Sequence, residues 1–460
     1  MKKYDVIIIG AGPAGIFAAL ELVKDNNDIR ILMLEKGRDI KRRVCPSRVK
    51  HNRCLNCSPC ATVCGWGGAG AFSDGKLTLS PEVGGHLGQY IGEEALESMI
   101  SYVDGAYLRY GAPEKVYGVT SPDELADIRK RATLAGLRLV PLPIRHLGTG
   151  RCAQILQKMF EELSARVDVR TDVQVTGIVT KDNAVVGVET ADGRVYSAEY
   201  VIAAPGREGS EWLTAEAHRL GLSTTVNPVD IGVRVELPAV VMEKITSMFY
   251  ELKCTYVSQT FEDRVRTFCM NPYGEVVMEN NDGVITVNGH SHAYNKTENT
   301  NFALLVSKNF TEPFHEPITY GRSIARLANL LGGGVLVQRL GDLTNGRRST
   351  KEKIERGLVR ATLTEATPGD LSLVFPYRHL MGILEMLKAL DHIAPGVFSR
   401  DTLLYGAEVK FYSSRLALNQ GLETKIKNLF AAGDGAGVTR GLVQASAAGV
   451  VAAREILRRV

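Results

Sequence analysis

The run that most limits the fold opens the chain. Tyr4 to Ile9 is a continuous apolar stretch suited to a strand buried on both faces, and it empties into Gly10-Ala11-Gly12-Pro13-Ala14-Gly15. Helix-like Ile16 to Lys24 follows, then a second apolar strand, Arg30 to Leu34, closed by Glu35. This is the βαβ dinucleotide-binding fingerprint. Gly10 permits the tight turn, Gly12 lets backbone approach a pyrophosphate at the helix start formed by Pro13 and Ala14, and Gly15 allows close helix-on-strand packing. Glu35 stands twenty residues after Gly15, where a carboxylate accepts hydrogen bonds from ribose hydroxyls. A turn that merely packs well would explain the glycines, but not both strands and the acid in register.

Composition narrows the class. A chain of 460 residues, 45% hydrophobic and 23% charged, is too long and too apolar to be disordered, a coiled coil or a small disulfide-stapled module. Lys plus Arg 55 against Asp plus Glu 51 leaves +4, which points to neither a nucleic-acid nor a membrane surface. Lys2 and Lys3 before an apolar stretch resemble a signal peptide, but GAGPAG would break its helix and no small-residue cleavage site follows. With no other window of about 18 apolar residues, a cytoplasmic protein with reduced thiols is expected.

Along the chain, a Cys/Gly-rich loop at 45–85 precedes a helix-compatible insertion at 86–136 and a helix from Arg151 to Leu163. Val167 to Val179, Ala184 to Thr190 and Arg194 to Ala203 alternate about Asp182-Asn183 and Asp192-Gly193 turns, as in an antiparallel meander ending at Gly206. Shorter strands (Ile231 to Leu237, Arg266 to Met270, Val284 to Val287) then mix with helices (Thr350 to Thr362, Leu380 to Leu390). The expected organisation is an α/β nucleotide-binding domain over 1–206 and 401–460, split by an inserted mixed α+β substrate domain over 207–400.

The C-terminal part identifies the nucleotide. Asn428 to Ala432 is an apolar strand ending in Gly433-Asp434, placed to put a carboxylate on a ribityl hydroxyl, and the helix begun by Gly441 and Leu442 can aim backbone N–H groups at an anionic or carbonyl edge. Two such elements at opposite ends of a chain suit a long ligand such as FAD. These residues resemble the glutathione-reductase-type flavoprotein fold, a Rossmann-like FAD-binding domain in which the fingerprint, Glu35, the strand ending at Gly206 and Gly433-Asp434 recur in this order. The resemblance implies a backbone contact from Val173 to adenine. GWGGAGAFSDGKLTLSPEVGG and FAAGDGAGVTRGLVQASAAG also resemble the FAD-dependent, NAD(FAD)-utilising dehydrogenases, whose members mostly lack an assigned substrate. In Gly67, Gly68 and Gly70 the absence of side chains would let backbone pass over a flavin or pyrophosphate, a structural glycine turn being the alternative. Lys76 behind them is a candidate cation for the reduced flavin.

Five of the eight cysteines fall within twenty residues. Cys54-x2-Cys57-x2-Cys60-x3-Cys64 has the ferredoxin spacing, with Gly65 where proline is usual, so a 4Fe-4S cluster is one expectation and either Cys64 or Cys45 could be its fourth ligand. A zinc knot, a redox pair and free thiols are the alternatives.

No second strand-GxGxxG-helix unit appears, so electrons are expected from a transient NAD(P)H, a ferredoxin-like protein or the substrate itself. His290, His292 and His379 are candidate acids, each with a packed histidine as its alternative. The expected activity is hydride transfer through flavin N5 to or from a small organic substrate, with the cluster as an electron relay where one forms. A flavin monooxygenase and a flavin-bearing RNA-modification or partner-binding protein are the competing readings.

Overall fold

In the computed structural model the described residues are 3–25, 28–46, 57–73, 75–118, 121–140, 142–281, 283–291, 296–308 and 316–460. They divide into two compact units, one of residues 1–115, 145–227 and 412–460, the other of 116–144 and 228–411.

The first unit is built on a seven-stranded sheet. Its labelled elements are β1 (Lys3–Ile9), α1 (Pro13–Val23), β2 (Ile31–Leu34), β3 (Asp168–Arg170), β4 (Val175–Lys181), β5 (Ala184–Thr190), β6 (Val195–Ala203), β7 (Leu429–Ala431) and α2 (Leu442–Leu457). The sheet order is β3-β2-β1-β6-β5-β4, with β7 also beside β6. The contiguous apolar run of β1 is explained by its two parallel neighbours, β2 and β6, and by complete burial of Val6, Ile7 and Ile8. β4, β5 and the start of β6 form the antiparallel meander. α1 and α2 pack closely because Gly449 lacks a side chain: a Cβ there would sit 2.0 Å from the Ala14 carbonyl oxygen.

The second unit is centred on an eight-stranded sheet, antiparallel except for one short edge pair. Val229–Pro238 and Asn299–Lys308 pair along their whole lengths, from Val229 opposite Lys308 to Pro238 opposite Asn299. Helix Tyr377–Asp391 buries Leu380, Ile383, Met386 and Leu387, a helical i, i+3, i+4 stripe. The result is an α+β unit.

The boundaries differ from those the sequence suggests. The long segment of the second unit begins at 228 instead of 207, because the chain through helix Ser210–Arg219 stays with the first unit: Glu216 on that helix accepts the Ile178 N–H of β4 at 2.8 Å. It ends at 411 instead of 400, since strand Leu403–Lys410 pairs with Val229–Pro238. The expected 86–136 insertion is divided: helix Glu93–Arg109 lies in the first unit and helix Pro122–Leu134 in the second. The expected helix over Thr350 to Thr362 is only Lys351–Glu355, ended by a turn in which the Gly357 N–H donates to Ile354. Among the described residues, no helix is long and apolar enough to cross a membrane.

Candidate nucleotide site

Three turns meet at the carboxyl ends of adjacent parallel strands. After β1, Gly10 (φ +97°) turns so tightly that a Cβ would lie 2.3 Å from the Ala204 carbonyl oxygen, just past β6. Gly15 is closed in the same way, its Cβ position 2.0 Å from the Gly10 carbonyl oxygen. After β7, the backbone of Gly435 abuts Gly206, whose carbonyl oxygen lies 2.4 Å from a Cβ built there, and Gly433 faces Ala14. Gly12 is different, with nothing within 4 Å of its Cβ position. Among the described residues no side chain caps α1 at Gly12 or α2 at Gly441, which leaves first-turn N–H groups of both helices for another acceptor.

Glu35 is buried and its carboxylate is a hub. Oε2 accepts the Ala11 N–H at 2.8 Å, while Oε1 accepts those of Gly37 at 2.8 Å and Gly65 at 2.9 Å. Each carboxylate oxygen can take two hydrogen bonds, so Oε2 keeps one acceptor site for a hydroxyl. The same carboxylate therefore ties the fingerprint turn to the glycine-rich loop thirty residues later.

A second residue of this loop had no sequence signal beyond a basic run. Arg43 is buried, and its guanidinium donates to the carbonyls of Ala61 (3.0 Å), Thr62 (3.0 Å), Trp66 (2.6 Å) and Gly68 (2.8 Å). Burial pushes its pKa down to about 10, against the pull of Glu35 and the Cys64 and Cys60 thiols. Trp66, wholly buried, donates its indole N–H to Leu156 at 2.8 Å and meets Phe160 edge-on. So anchored, the loop lies on the fingerprint. The Gly67 N–H donates to the Ala11 carbonyl at 2.7 Å, a Cβ on Gly68 would be 3.2 Å from Gly12 Cα, and one on Gly70 would be 2.5 Å from Leu442.

Asp434 stands opposite, in the turn between β7 and α2. Its Oδ1 accepts the Thr439 hydroxyl at 2.7 Å and the Gly441 N–H at 3.3 Å, and its Oδ2 lies 3.5 Å from Arg207. Burial raises the carboxyl pKa, opposed by Arg207 and those two donors. Val173 is partly buried beside the same sheet edge, but its N–H is already given to the Glu35 carbonyl at 2.9 Å, leaving only its carbonyl for a ligand. Gly206, three residues past β6, has φ +68° and open space at its own Cβ position.

Lys76 lies half-buried in the short strand Lys76–Thr78, which packs against α2. Asp74, His292 and Cys54 lie outside the described residues. Of the remaining run, Cys57 is exposed, Cys60 meets the Thr62 hydroxyl at 2.9 Å, and Cys64 is buried. Burial pushes the Cys64 thiol up to about 12, reinforced by the Glu208 carboxylate. Among the described residues no three His, Cys, Asp or Glu side chains gather as a metal site.

His290 and His379 belong to the second unit. His290 ends strand Val284–His290, opposite Glu275. His379 is buried, neither ring nitrogen has a hydrogen-bond partner among the described residues, and burial with nearby Lys308 pushes its pKa down to about 4. Such a ring is neutral near pH 7 and lacks the imidazolium proton a general acid would give up, which favours the packed-histidine reading. The same unit holds a buried ion pair that sequence reasoning missed: Arg234 meets Glu408 through two hydrogen bonds of 2.7 and 2.8 Å, and donates further to Cys269, Asn271, Asn288 and Asn301.

Fold and site together define a dinucleotide-binding α/β unit joined to an α+β unit. Residues 228–411, the greater part of that second unit, match the family described as FAD-dependent protein, C-terminal domain-like, which supports FAD as the nucleotide. Over 98% of its length the chain is 26% identical to an uncharacterized protein of Clostridium beijerinckii, covering 80% of that protein. Among solved structures, it is similar to formate oxidase of Aspergillus oryzae (TM-score 0.45, 11% identity, 100% of this chain and 98% of that one). It is also similar to glycine oxidase of Geobacillus kaustophilus (TM-score 0.41, 14% identity, 100% and 95%).

Proposed function

We propose that the protein is an FAD-dependent oxidoreductase of glutathione-reductase-type architecture that passes a hydride to or from a small organic substrate. The observation that carries this reading is the meeting of the Gly10, Gly206 and Gly433 turns at one carboxyl edge of a parallel sheet, where nucleotides bind in open α/β folds. The residues present fit FAD at both of its ends. Gly12 leaves room for a pyrophosphate above the uncapped start of α1, and the free acceptor site on Glu35 suits a ribose hydroxyl. Asp434, held by Thr439 and Gly441, suits a ribityl hydroxyl, and the uncapped N–H groups of α2 suit the polar edge of the ring.

Bound FAD supplies a two-electron carrier that takes up or releases hydride at N5. The chain's own groups hold and orient it. Lys76 is the candidate cation for the reduced state, and the reductant is a transiently bound NAD(P)H or a ferredoxin-like protein. No electron step is assigned to the cysteine run, because the described thiols differ in exposure and Cys54 is undescribed. Iron and acid-labile sulfide analysis of anaerobically purified protein decides whether a cluster accompanies the flavin.

The reading is tested by quantifying flavin released on denaturation, then following bleaching of flavin absorbance with NADH, NADPH and reduced ferredoxin. Purified protein that carries no FAD and fails to bind added FAD refutes it.

A further inference from the structure

The small net charge of the chain conceals a local excess in the second unit. Residues 347–360 hold six Lys and Arg against two Glu, so this segment alone carries as much net charge as the whole chain, +4. The segment is firmly anchored. Ile354 and Val359 are buried in a cluster with Val335, Val337, Leu403 and Tyr405. Asp342 accepts the Ser349 hydroxyl at 2.8 Å and Lys353 Nζ at 3.1 Å through its carboxylate, and the Arg347 N–H at 2.9 Å through its carbonyl. At the far end the Asn299 amide donates to the Arg360 carbonyl at 2.7 Å.

What this anchored backbone presents to solvent is cationic. Arg347, Arg348, Arg356 and Arg360 are all exposed, and none of their guanidiniums has an ion pair or a hydrogen bond among the described residues. The nearby carboxylates are engaged elsewhere: Asp342 by Arg339 and Lys353, Asp401 by Arg339 and Arg400, Glu355 by Lys351 at 3.8 Å, and Glu352 by its own N–H and the Thr350 hydroxyl. Helix Lys351–Glu355, which separates Arg348 from Arg356, has five residues and so spans only about 7.5 Å, putting both arginines within reach of one ligand. Leu358 lies between Arg356 and Arg360 in the chain and is 81% exposed, although Val359 beside it is 2% exposed.

A solvated face ordinarily intersperses charges of both signs, whereas the unpaired charges here are all of one sign. A guanidinium's planar fork matches a carboxylate, and an apolar side chain adds area whose removal from water favours association. A polypeptide supplies both at neighbouring positions. A nucleic acid gains little from Leu358, residues 347–360 contain no Phe, Tyr or Trp on which a base could stack, and Glu352 and Glu355 repel phosphates. An anionic membrane is met by a long amphipathic helix, and this helix has five residues. We propose that residues 347–360 form a docking surface for an acidic segment of a partner protein. Its carboxylates meet Arg347, Arg348, Arg356 and Arg360, and one of its apolar side chains covers Leu358. This surface goes beyond the flavin reading and is independent of it.

The test uses the full chain and a fluorescein-labelled peptide of repeated Glu-Glu-Leu triplets, read by fluorescence anisotropy. An oligoglutamate and an oligouridylate of equal charge, and vesicles of equal parts phosphatidylcholine and phosphatidylserine, are the comparison probes. The Glu-Glu-Leu peptide is expected to bind about fivefold or more tightly than oligoglutamate, and more tightly than oligouridylate. L358S removes that advantage and leaves oligoglutamate binding unchanged. R347Q/R348Q/R356Q/R360Q weakens the peptide about tenfold or more. Raising ionic strength from about 0.05 to about 0.3 M weakens the parent about tenfold and this variant about twofold or less. The altered side chains are exposed, so melting temperatures stay within about 2 °C of the parent. R356Q and R360Q alone, each weakening the peptide about twofold or more, repeat the test with less change to the surface. No peptide binding by the parent, or equal binding by parent and quadruple variant, overturns the proposal. Peptide and oligoglutamate affinities that are equal and indifferent to L358S reduce the surface to an ion-exchange patch and overturn it. Tighter binding of oligouridylate, or sedimentation with vesicles while the peptide stays free, also overturns it, in favour of nucleic acid or anionic lipid.

Discussion

Replacing Glu35 by Gln keeps the shape of the side chain and removes its charge, so it isolates what the carboxylate does. Glu35 accepts three backbone N–H groups, from Ala11, Gly37 and Gly65. In E35Q the amide oxygen can retain the Gly37 and Gly65 bonds as neutral ones, a loss of roughly 1 kcal/mol each relative to charge-assisted bonds. The amide NH2 would then face the Ala11 N–H, donor against donor, costing a further ~2 kcal/mol for the lost bond and the buried unsatisfied donor. The sum is about 4 kcal/mol, concentrated where the fingerprint turn meets the glycine-rich loop. Differential scanning fluorimetry of FAD-free protein should show the first transition lowered on the order of 10 °C. Fluorescence titration should show FAD bound at least about tenfold more weakly, because the amide NH2 of Gln replaces the carboxylate acceptor site left for a ribose hydroxyl, a loss of about 1.4 kcal/mol or more. E35D is the companion variant: it keeps the charge but is one methylene short, and should lose stability while restoring part of the FAD affinity. An E35Q protein that melts within about 1 °C of the parent and binds FAD within about twofold would refute the hub.

Three further outcomes are expected. In G449V, side-chain atoms must enter space already held by the Ala14 carbonyl, with a Cβ only 2.0 Å away, so α2 is forced off α1 and the protein loses about 3 kcal/mol or more by chemical denaturation. R234M removes the two-bond partner of buried Glu408 and leaves it only Lys410, at 3.1 Å, costing about 3 kcal/mol, and R234M/E408L/K410M, which removes the whole charged group, should recover most of that loss; a triple variant as unstable as R234M contradicts the argument. Asp342 is desolvated, which alone would raise its pKa, but Arg339, Ser349 and Lys353 outweigh burial and hold it near about 2. Because the folded value lies below the unfolded one, its contribution is present above pH ~4 and lost as pH falls toward about 2; D342N should flatten that part of the acid-unfolding curve.

Sequence legibility followed contact range. The fingerprint could be read because its requirements are local: Gly10, Gly12 and Gly15 sit within six residues, and the apolar runs around them match strands and a helix buried on all sides. The Gly433-Asp434 turn was legible for the same reason. The second use of Glu35 was not, since its partner Gly65 lies in a loop whose path no periodicity fixes. Arg43 is one of several basic residues between 38 and 43, and nothing in that run distinguishes a guanidinium that will bind four carbonyls from one left in water. The unit boundary failed at a nonlocal pairing. Leu137–Val140 joins the second unit's sheet beside Lys253–Val257, more than a hundred residues away, so composition alone assigned the preceding helix to the wrong unit.

The glycines now separate into two populations with different physical purposes. Gly10, Gly15, Gly435 and Gly449 are filled positions, where another stretch of backbone occupies the space a side chain would need. They bring β1, β6, β7, α1 and α2 closer together than any other residue would allow. Gly12, Gly206 and Gly441 are open, with nothing within 4 Å, yet they belong to the same three turns as the filled ones. Other open glycines, such as Gly105 and Gly150, lie within helices. Here the open positions are half-buried in turns at the carboxyl edge of a parallel sheet, and two of them immediately precede helices that no side chain caps among the described residues. Packing accounts for the filled set without any ligand. It gives no reason for the open set, which the proposed nucleotide, approaching backbone at three points, would explain.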